Sequence, residues 1–235
     1  MNRMATENIY IVHGWSSDKD NFGKWSEFIN YLNNDYKVIF LKIPGLDFST
    51  KDSWNLDKYV SWLDKEIQED SFLIGHSFGG QLSIKYASKF PTKIKKVVLI
   101  DSSGIIDKSV IKVVKRNVFK FVTKVGKRIT KSKETRKFLY YLARERDYYD
   151  ADPILRETMK NILSEEILDS AKNIKCPTLI IWGKGDRVTP TKNAKQLNDL
   201  IQDSSLVFID NARHSPQFTH SKEVSKICVN FFRKK

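Results

Sequence analysis

Ser71-Phe72-Leu73-Ile74-Gly75-His76-Ser77-Phe78-Gly79-Gly80-Gln81 is the stretch on which the reading of this chain turns. Phe72 to Ile74 is a short apolar run of the kind that forms a buried strand. Gln81-Leu82-Ser83-Ile84-Lys85-Tyr86-Ala87 reads as a helix, closed by Phe90-Pro91. Between them lies Gly75-His76-Ser77-Phe78-Gly79, a Gly-x-Ser-x-Gly segment. So sharp a turn forces strained angles on its central residue and brings neighbouring backbone close. Glycines, lacking Cβ, tolerate that approach. Ser77 is then left at the tip, above a helix N-terminus whose partial positive charge favours a developing oxyanion. Strand, Gly-x-Ser-x-Gly, helix is the context in which the motif reads as a nucleophile elbow.

A serine hydroxyl needs a base, and the base needs an acid to orient it. The chain has four histidines: His13, His76, His214 and His220. His214 follows the apolar run Leu206-Val207-Phe208-Ile209, in a loop late in the chain. Asp186 follows another apolar run, Leu179-Ile180-Ile181-Trp182. The expected set is therefore Ser77 as nucleophile, Asp186 as acid and His214 as base, in that chain order. Asp101, at the end of the strand Lys96 to Ile100, is the reserve candidate for the acid; its plainer reading is an acceptor for nearby loop N–H groups.

Four segments together resemble the α/β-hydrolase superfamily, in the branch of small esterases and carbon–carbon bond hydrolases. They are the elbow, His13-Gly14-Trp15, Gly183-Lys184-Gly185-Asp186-Arg187-Val188-Thr189-Pro190 and Asn211-Ala212-Arg213-His214-Ser215-Pro216. The resemblance implies an oxyanion hole formed by the backbone N–H groups of Trp15 and Phe78. His13 then organises its loop and is not the base. Pro44-Gly45-Leu46-Asp47-Phe48-Ser49 resembles a further family loop with two departures: Lys42 where an Asp is usual, and Asp47 in place of a Gly. The fold implied is α/β. Fuller members begin with an antiparallel strand pair; seven residues precede Asn8, so a mostly parallel sheet of about six strands is expected.

The chain has 235 residues, a formal net charge of +13, 40% hydrophobic residues and 12% aromatics, which describes a globular chain. From Gly104 to Arg146 there are 14 Lys and Arg against Asp107, Glu134 and Glu145, so +11 of the charge lies there. A charge run is ordinarily a solvated face. The sharper reading is attraction of an acidic partner or an anionic surface. No nucleic-acid recognition motif accompanies it, so nucleic acid is not expected. Cys176 and Cys228 suit neither a disulfide framework nor metal spacing and read as buried, inert thiols. No apolar run reaches the ~20 residues of a membrane span, and no signal core stands apart from the first strand. A cytoplasmic monomer without cofactor or metal is expected.

The periodicities predict helices at Asn21–Leu32, Leu56–Ile67, about 190–201 and Ser221–Phe232, and strands at Asn8–Val12, Lys37–Ile43 and Leu206–Ile209. The resemblance divides the chain into a core domain, 1–103 and 172–235, and an inserted helical cap, 104–171. Helices are expected in that cap at Lys108–Val125, Thr135–Ala143, from Asp152-Pro153 onward and at Ser164–Ala171. The activity implied is carboxylester hydrolysis of a small or acyl ester through an acyl-enzyme. The alternatives are hydrolytic carbon–carbon cleavage of a diketo acid, removal of a methyl ester from a carrier-bound acyl chain, and ligand binding without turnover.

Overall fold

Alternation along each strand sorts the core into two layers. In β1 (Asn8–Val12), Ile9 and Ile11 face one side while Tyr10 and Val12 face the other. The same division runs through β3 (Ser71–His76), β4 (Ile94–Ile100) and β5 (Thr178–Gly183). The computed structural model describes residues 7–16, 20–105 and 153–234. Within them the sheet has six strands, completed by β2 (Lys37–Phe40) and β6 (Ser204–Ile209), in the order β2-β1-β3-β4-β5-β6. Every pairing is parallel. Strands buried on both faces are continuous apolar runs, which is why Phe72-Leu73-Ile74 and Leu179-Ile180-Ile181-Trp182 stand out in the sequence.

One layer is α1 (Asn21–Leu32) with α8 (Ser221–Arg233). It buries Trp25, Phe28, Leu32, Val224, Cys228 and Phe232 against Ile9, Ile11, Phe72 and Ile74. The other is α2 (Leu56–Glu66), α3 (Phe78–Lys89), α4 (Pro153–Leu163), α5 (Leu168–Lys172) and α6 (Thr191–Leu200). Its core includes Tyr59, Leu63, Leu82, Tyr86, Ile162, Ala171 and Leu197. Asn55 caps α2, its side chain accepting the Lys58 N–H at 2.9 Å, and Asp20 does the same for α1 through Gly23.

The structure moves several boundaries. β2 ends at Phe40 rather than Ile43, because Ile43 N–H turns to the Asp47 carboxylate at 2.6 Å. The elbow helix starts at Phe78, three residues before the apolar pattern shows it, because Gly79-Gly80 carries no periodicity. The expected helix over Ser164–Ala171 is the shorter α5, preceded by a turn in which Ser164 and Glu165 N–H groups return to Lys160, Asn161 and Ile162 carbonyls. A four-residue helix, α7 (Pro216–Thr219), was not expected ahead of α8. The expected helices Lys108–Val125 and Thr135–Ala143, and nearly all of the basic run, lie outside the described residues. Among the described residues, no helix is long and apolar enough to cross a membrane.

The order of strands places the site. The chain passes from β1 outward to β2 and returns to the other side of β1 as β3. Crevices at the carboxyl ends of parallel strands form where the order reverses. Here that point lies between Val12, leading to Trp15, and His76, leading to Ser77.

Candidate active site

Ser77 sits at φ 50°, ψ −115°, a conformation that side chains rarely adopt. Its N–H donates to Ile100 carbonyl at 3.0 Å, and its own carbonyl accepts from Gln81 and Ser103 N–H at 3.1 and 3.0 Å. These bonds hold the strained residue between β4 and α3. Close approach explains the glycine at 79: a Cβ there would lie 1.9 Å from the Val12 carbonyl oxygen.

Ser77 Oγ lies 3.0 Å from His214 Nε2, and His214 Nδ1–H donates to Asp186 Oδ2 at 2.9 Å. The three residues proposed from sequence are thus brought together by the ends of β3, β5 and β6. Asp186 is buried and fully engaged. Its Oδ1 accepts from Val188 and Thr189 N–H at 2.7 and 3.1 Å; its Oδ2 also accepts from the Thr189 hydroxyl at 2.6 Å. Burial opposes its charge, but the His214 hydrogen bond and charge, Thr189 and the Val188 N–H outweigh it. The carboxyl is held below the usual range.

Trp15 and Phe78 pack edge to face, their rings 5.9 Å apart. Phe78 opens α3, so its N–H is among those a helix leaves without an intrahelical acceptor. His13 is fully buried and donates through Nε2 to Asp47 Oδ2 at 2.7 Å. Its Nδ1 accepts from the Asn21 side-chain amide at 2.7 Å, so both ring nitrogens are held in place. Asp47, the departure from the family loop, is therefore the residue that anchors His13. Burial pulls its carboxyl upward, but His13 and the Ile43 N–H hold it below the usual range.

Three contributors were missed in the sequence. Thr189 contacts Asp186 three residues on, the local spacing at which an Asp side chain binds its own turn. Gln81 ties α3 to α4 by donating to the Ile162 carbonyl at 3.3 Å, a long-range contact with no local signal. His76 lies inside the motif, yet its role is tertiary. It donates from Nε2 to the His214 carbonyl at 2.8 Å, and the two rings sit 5.2 Å apart. Burial, then the His214 charge, drives His76 down to about 3, so it stays neutral. His220 is bonded to Thr219 and stands apart from this group.

A cavity of about 240 Å³ opens over Ser77, walled by Trp15, Lys24, Met159, Val188, His214 and Phe218. Asp101 is fully buried beneath it, with Oδ1 accepting Gly183 N–H at 2.9 Å, as its plainer reading anticipates. His76, Asp101 and His214 each bring one metal-compatible atom within 4.8 Å of the others, the one such cluster among the described residues. His214 already faces Ser77 and Asp186, and His76 Nε2 the His214 carbonyl. Both cysteines are free and buried, and burial pushes Cys176 up to about 11.

Comparison with known proteins agrees with this architecture. A family model described as alpha/beta hydrolase fold matches residues 7–221. The chain belongs to the α/β-hydrolase fold family. It is 24% identical to the uncharacterized hydrolase YugF of Bacillus subtilis over 97% of this chain and 90% of that protein. It is likewise 24% identical to the monoacylglycerol lipase ABHD6 of Bos taurus, covering 95% of this chain and 74% of the lipase. Among solved structures, the meta-cleavage product hydrolase of Pseudomonas fluorescens IP01 superposes with a TM-score of 0.70, at 20% identity, over 96% of this chain and 90% of that one. At that identity the likeness is one of fold.

Proposed function

We propose that this chain is a serine carboxylesterase that cleaves a small or acyl ester through Ser77, His214 and Asp186. The observation that carries the reading is the line from Ser77 Oγ to His214 Nε2 to Asp186 Oδ2, at 3.0 and 2.9 Å. His214 takes the Ser77 proton as Oγ attacks the ester carbonyl carbon. Asp186 stays ionised and stabilises the cationic ring without taking its proton. The N–H groups of Trp15 and Phe78 hold the oxyanion; loss of one such donor raises a barrier by about 2.7–4 kcal/mol. His214 then gives its proton to the leaving alcohol. Water, activated by the same ring, attacks acyl-Ser77 and restores the hydroxyl. The monoacylglycerol lipase among the relatives supports the ester class. The reading takes the enzyme as a cytoplasmic monomer without cofactor, with 104–171 as a cap; Met159, on α4, lines the cavity.

Incubation of the purified chain with a fluorophosphonate probe, followed by peptide mass spectrometry, tests this. Labelling is expected at Ser77 alone and is expected to vanish in Ser77→Ala and His214→Ala. Folded chain that stays unlabelled, or labels elsewhere, rejects the assignment and favours ligand binding without turnover. Carbon–carbon cleavage of a diketo acid uses the same residues and is favoured by one observation, Lys24 in the cavity wall, a cation suited to a substrate carboxylate. Parallel turnover of a chromogenic short-chain ester and a dienol-type diketo acid separates the two.

A further inference from the structure

The cavity over Ser77 has a closed aromatic end. Trp25 of α1, His76 at the end of β3 and Phe218 of α7 all line it, and the three rings meet one another. Their centroids are 5.3 Å apart for Trp25 and Phe218, 6.0 Å for Trp25 and His76, and 6.2 Å for His76 and Phe218. The first two pairs meet edge to face, the arrangement that ring quadrupoles favour. Behind the triangle lies core: Trp25 is 1% exposed and packs edge to face on the fully buried Phe28 at 5.7 Å. Each ring is held by a different element. Phe218 N–H donates to the Ser215 carbonyl at 3.0 Å, which places its ring four residues beyond His214. His76 is tied to the His214 carbonyl.

We propose that Trp25, His76 and Phe218 form the end wall of the acyl pocket, so that the ester accepted here carries a short aliphatic acyl chain, and that Phe218 sets its length. The proposal rests on the reading of Ser77, His214 and Asp186 as the reacting set.

His76 immediately precedes Ser77, so the wall begins beside the attacked carbon. The order of departure assigns the arm. The alcohol leaves in the first half of the reaction, while the acyl group stays bonded to Ser77 until water attacks. An arm seated against a closed wall is the one that need not leave first, so that arm is the acyl chain. Size limits its length. A cavity of about 240 Å³ holds about eight water-sized groups at ~30 Å³ each, and the ester linkage itself takes part of that room. Trp15, Met159 and Val188 add apolar lining, so each methylene that fits gains contact in place of water. A chain one carbon too long must displace a ring packed at core density, which loses more than the extra methylene gains. Phe218 is the ring that a substitution can shorten with least damage, because it is half-buried whereas Trp25 is part of the core.

The test measures kcat/KM for p-nitrophenyl esters of straight-chain acids, acetate to decanoate, in the native chain, Phe218→Ala and Phe218→Leu. The native value is expected to rise about fourfold per added methylene, to peak at or below about six carbons, and then to drop about tenfold or more. Phe218→Ala is expected to move the peak by about two or more carbons, raising turnover of octanoate while lowering that of butanoate. Phe218→Leu is expected to shift it less, and carries the comparison if the alanine variant does not fold. A second series keeps butanoate and lengthens the alcohol; its profile is expected to be the same in all three proteins. A native peak at about ten carbons, an unmoved peak in both variants, or a shift confined to the alcohol series overturns the proposal. A merely structural role for Phe218 lowers every acyl length by one factor, and that outcome overturns it too. Calorimetric titration of Ser77→Ala with straight-chain methyl ketones reads the wall without turnover. The tightest ketone is expected to be short, and longer when Phe218→Ala is added. A native chain that neither labels at Ser77 nor cleaves any ester rejects the triad instead, and the ketone series still decides the wall.

Discussion

Ser77 carries positive φ at the price of strain, and glycine at that position relieves it. Ser77→Gly is expected to stabilise the chain by about 1 kcal/mol, raising Tm by about 2–4 °C in differential scanning calorimetry while probe labelling is lost. Two buried groups contribute opposite slopes to the pH dependence of stability. His76 is driven down from 6.5 to about 3, so the unfolded chain binds its proton where the folded chain does not. Its contribution is complete above 6.5 and fades as pH falls towards about 3. Asp101 is driven up from 3.8 to about 9, so its contribution is complete below 3.8 and fades as pH rises to about 9. The two slopes oppose each other in the acid range. Of these two, Asp101 is the one still changing above 6.5. The unfolding free energy from urea titration is therefore expected to fall between about pH 7 and pH 9, by at most about 1.4 kcal/mol per unit, and the midpoint with it, with Asp101→Asn reducing the slope. A midpoint constant over that range contradicts the burial of a protonated Asp101.

At the level of elements, α8 closes one layer of the sandwich through its apolar stripe. Phe232 is 4% exposed, stacks on Phe72 at 4.5 Å between ring centroids and meets Tyr36 edge to face at 5.7 Å. Phe232→Ala is expected to cost about 3 kcal/mol in urea unfolding, with labelling of the folded protein at Ser77 unaltered, because the stack lies at the opposite end of β3 from the elbow. Elements with a strong local pattern were legible in the sequence: β1, β3, β5, α1, α2 and α8. The short α7 and the early start of α3 were not. Pro216-Gln217-Phe218-Thr219 is too short for a period, and Gly79-Gly80 has no side chains to show one.

For the whole molecule, contacts between distant segments tie α4 to the sheet layer that carries the elbow. Lys85 on α3 reaches Glu165, after α4, at 2.6 Å and Asp57 on α2 at 3.0 Å. Glu165 Oε1 also accepts the Leu56 N–H at 3.1 Å, and Thr158 Oγ1 the Trp54 N–H at 2.9 Å. Lys85→Met is expected to destabilise the chain by about 1–2 kcal/mol, since it takes the cation away from the half-buried Glu165 carboxylate. Because α4 brings Met159 to the cavity, the variant is expected to raise KM for an ester more than it lowers kcat. An unchanged KM with an unchanged midpoint would show that this junction does not shape the cavity.

Local chemistry was enough for the strand–elbow–helix unit and the parallel sheet, because each depends on neighbours along the chain or on the periodicity of burial. Tertiary structure decided the rest. It alone brings Asp47 to His13, His76 to the His214 carbonyl and the Asp101 carboxyl to the Gly183 N–H. Those partners come from different strand ends, and only the parallel stacking of β1 to β6 delivers their loops to one edge of the sheet.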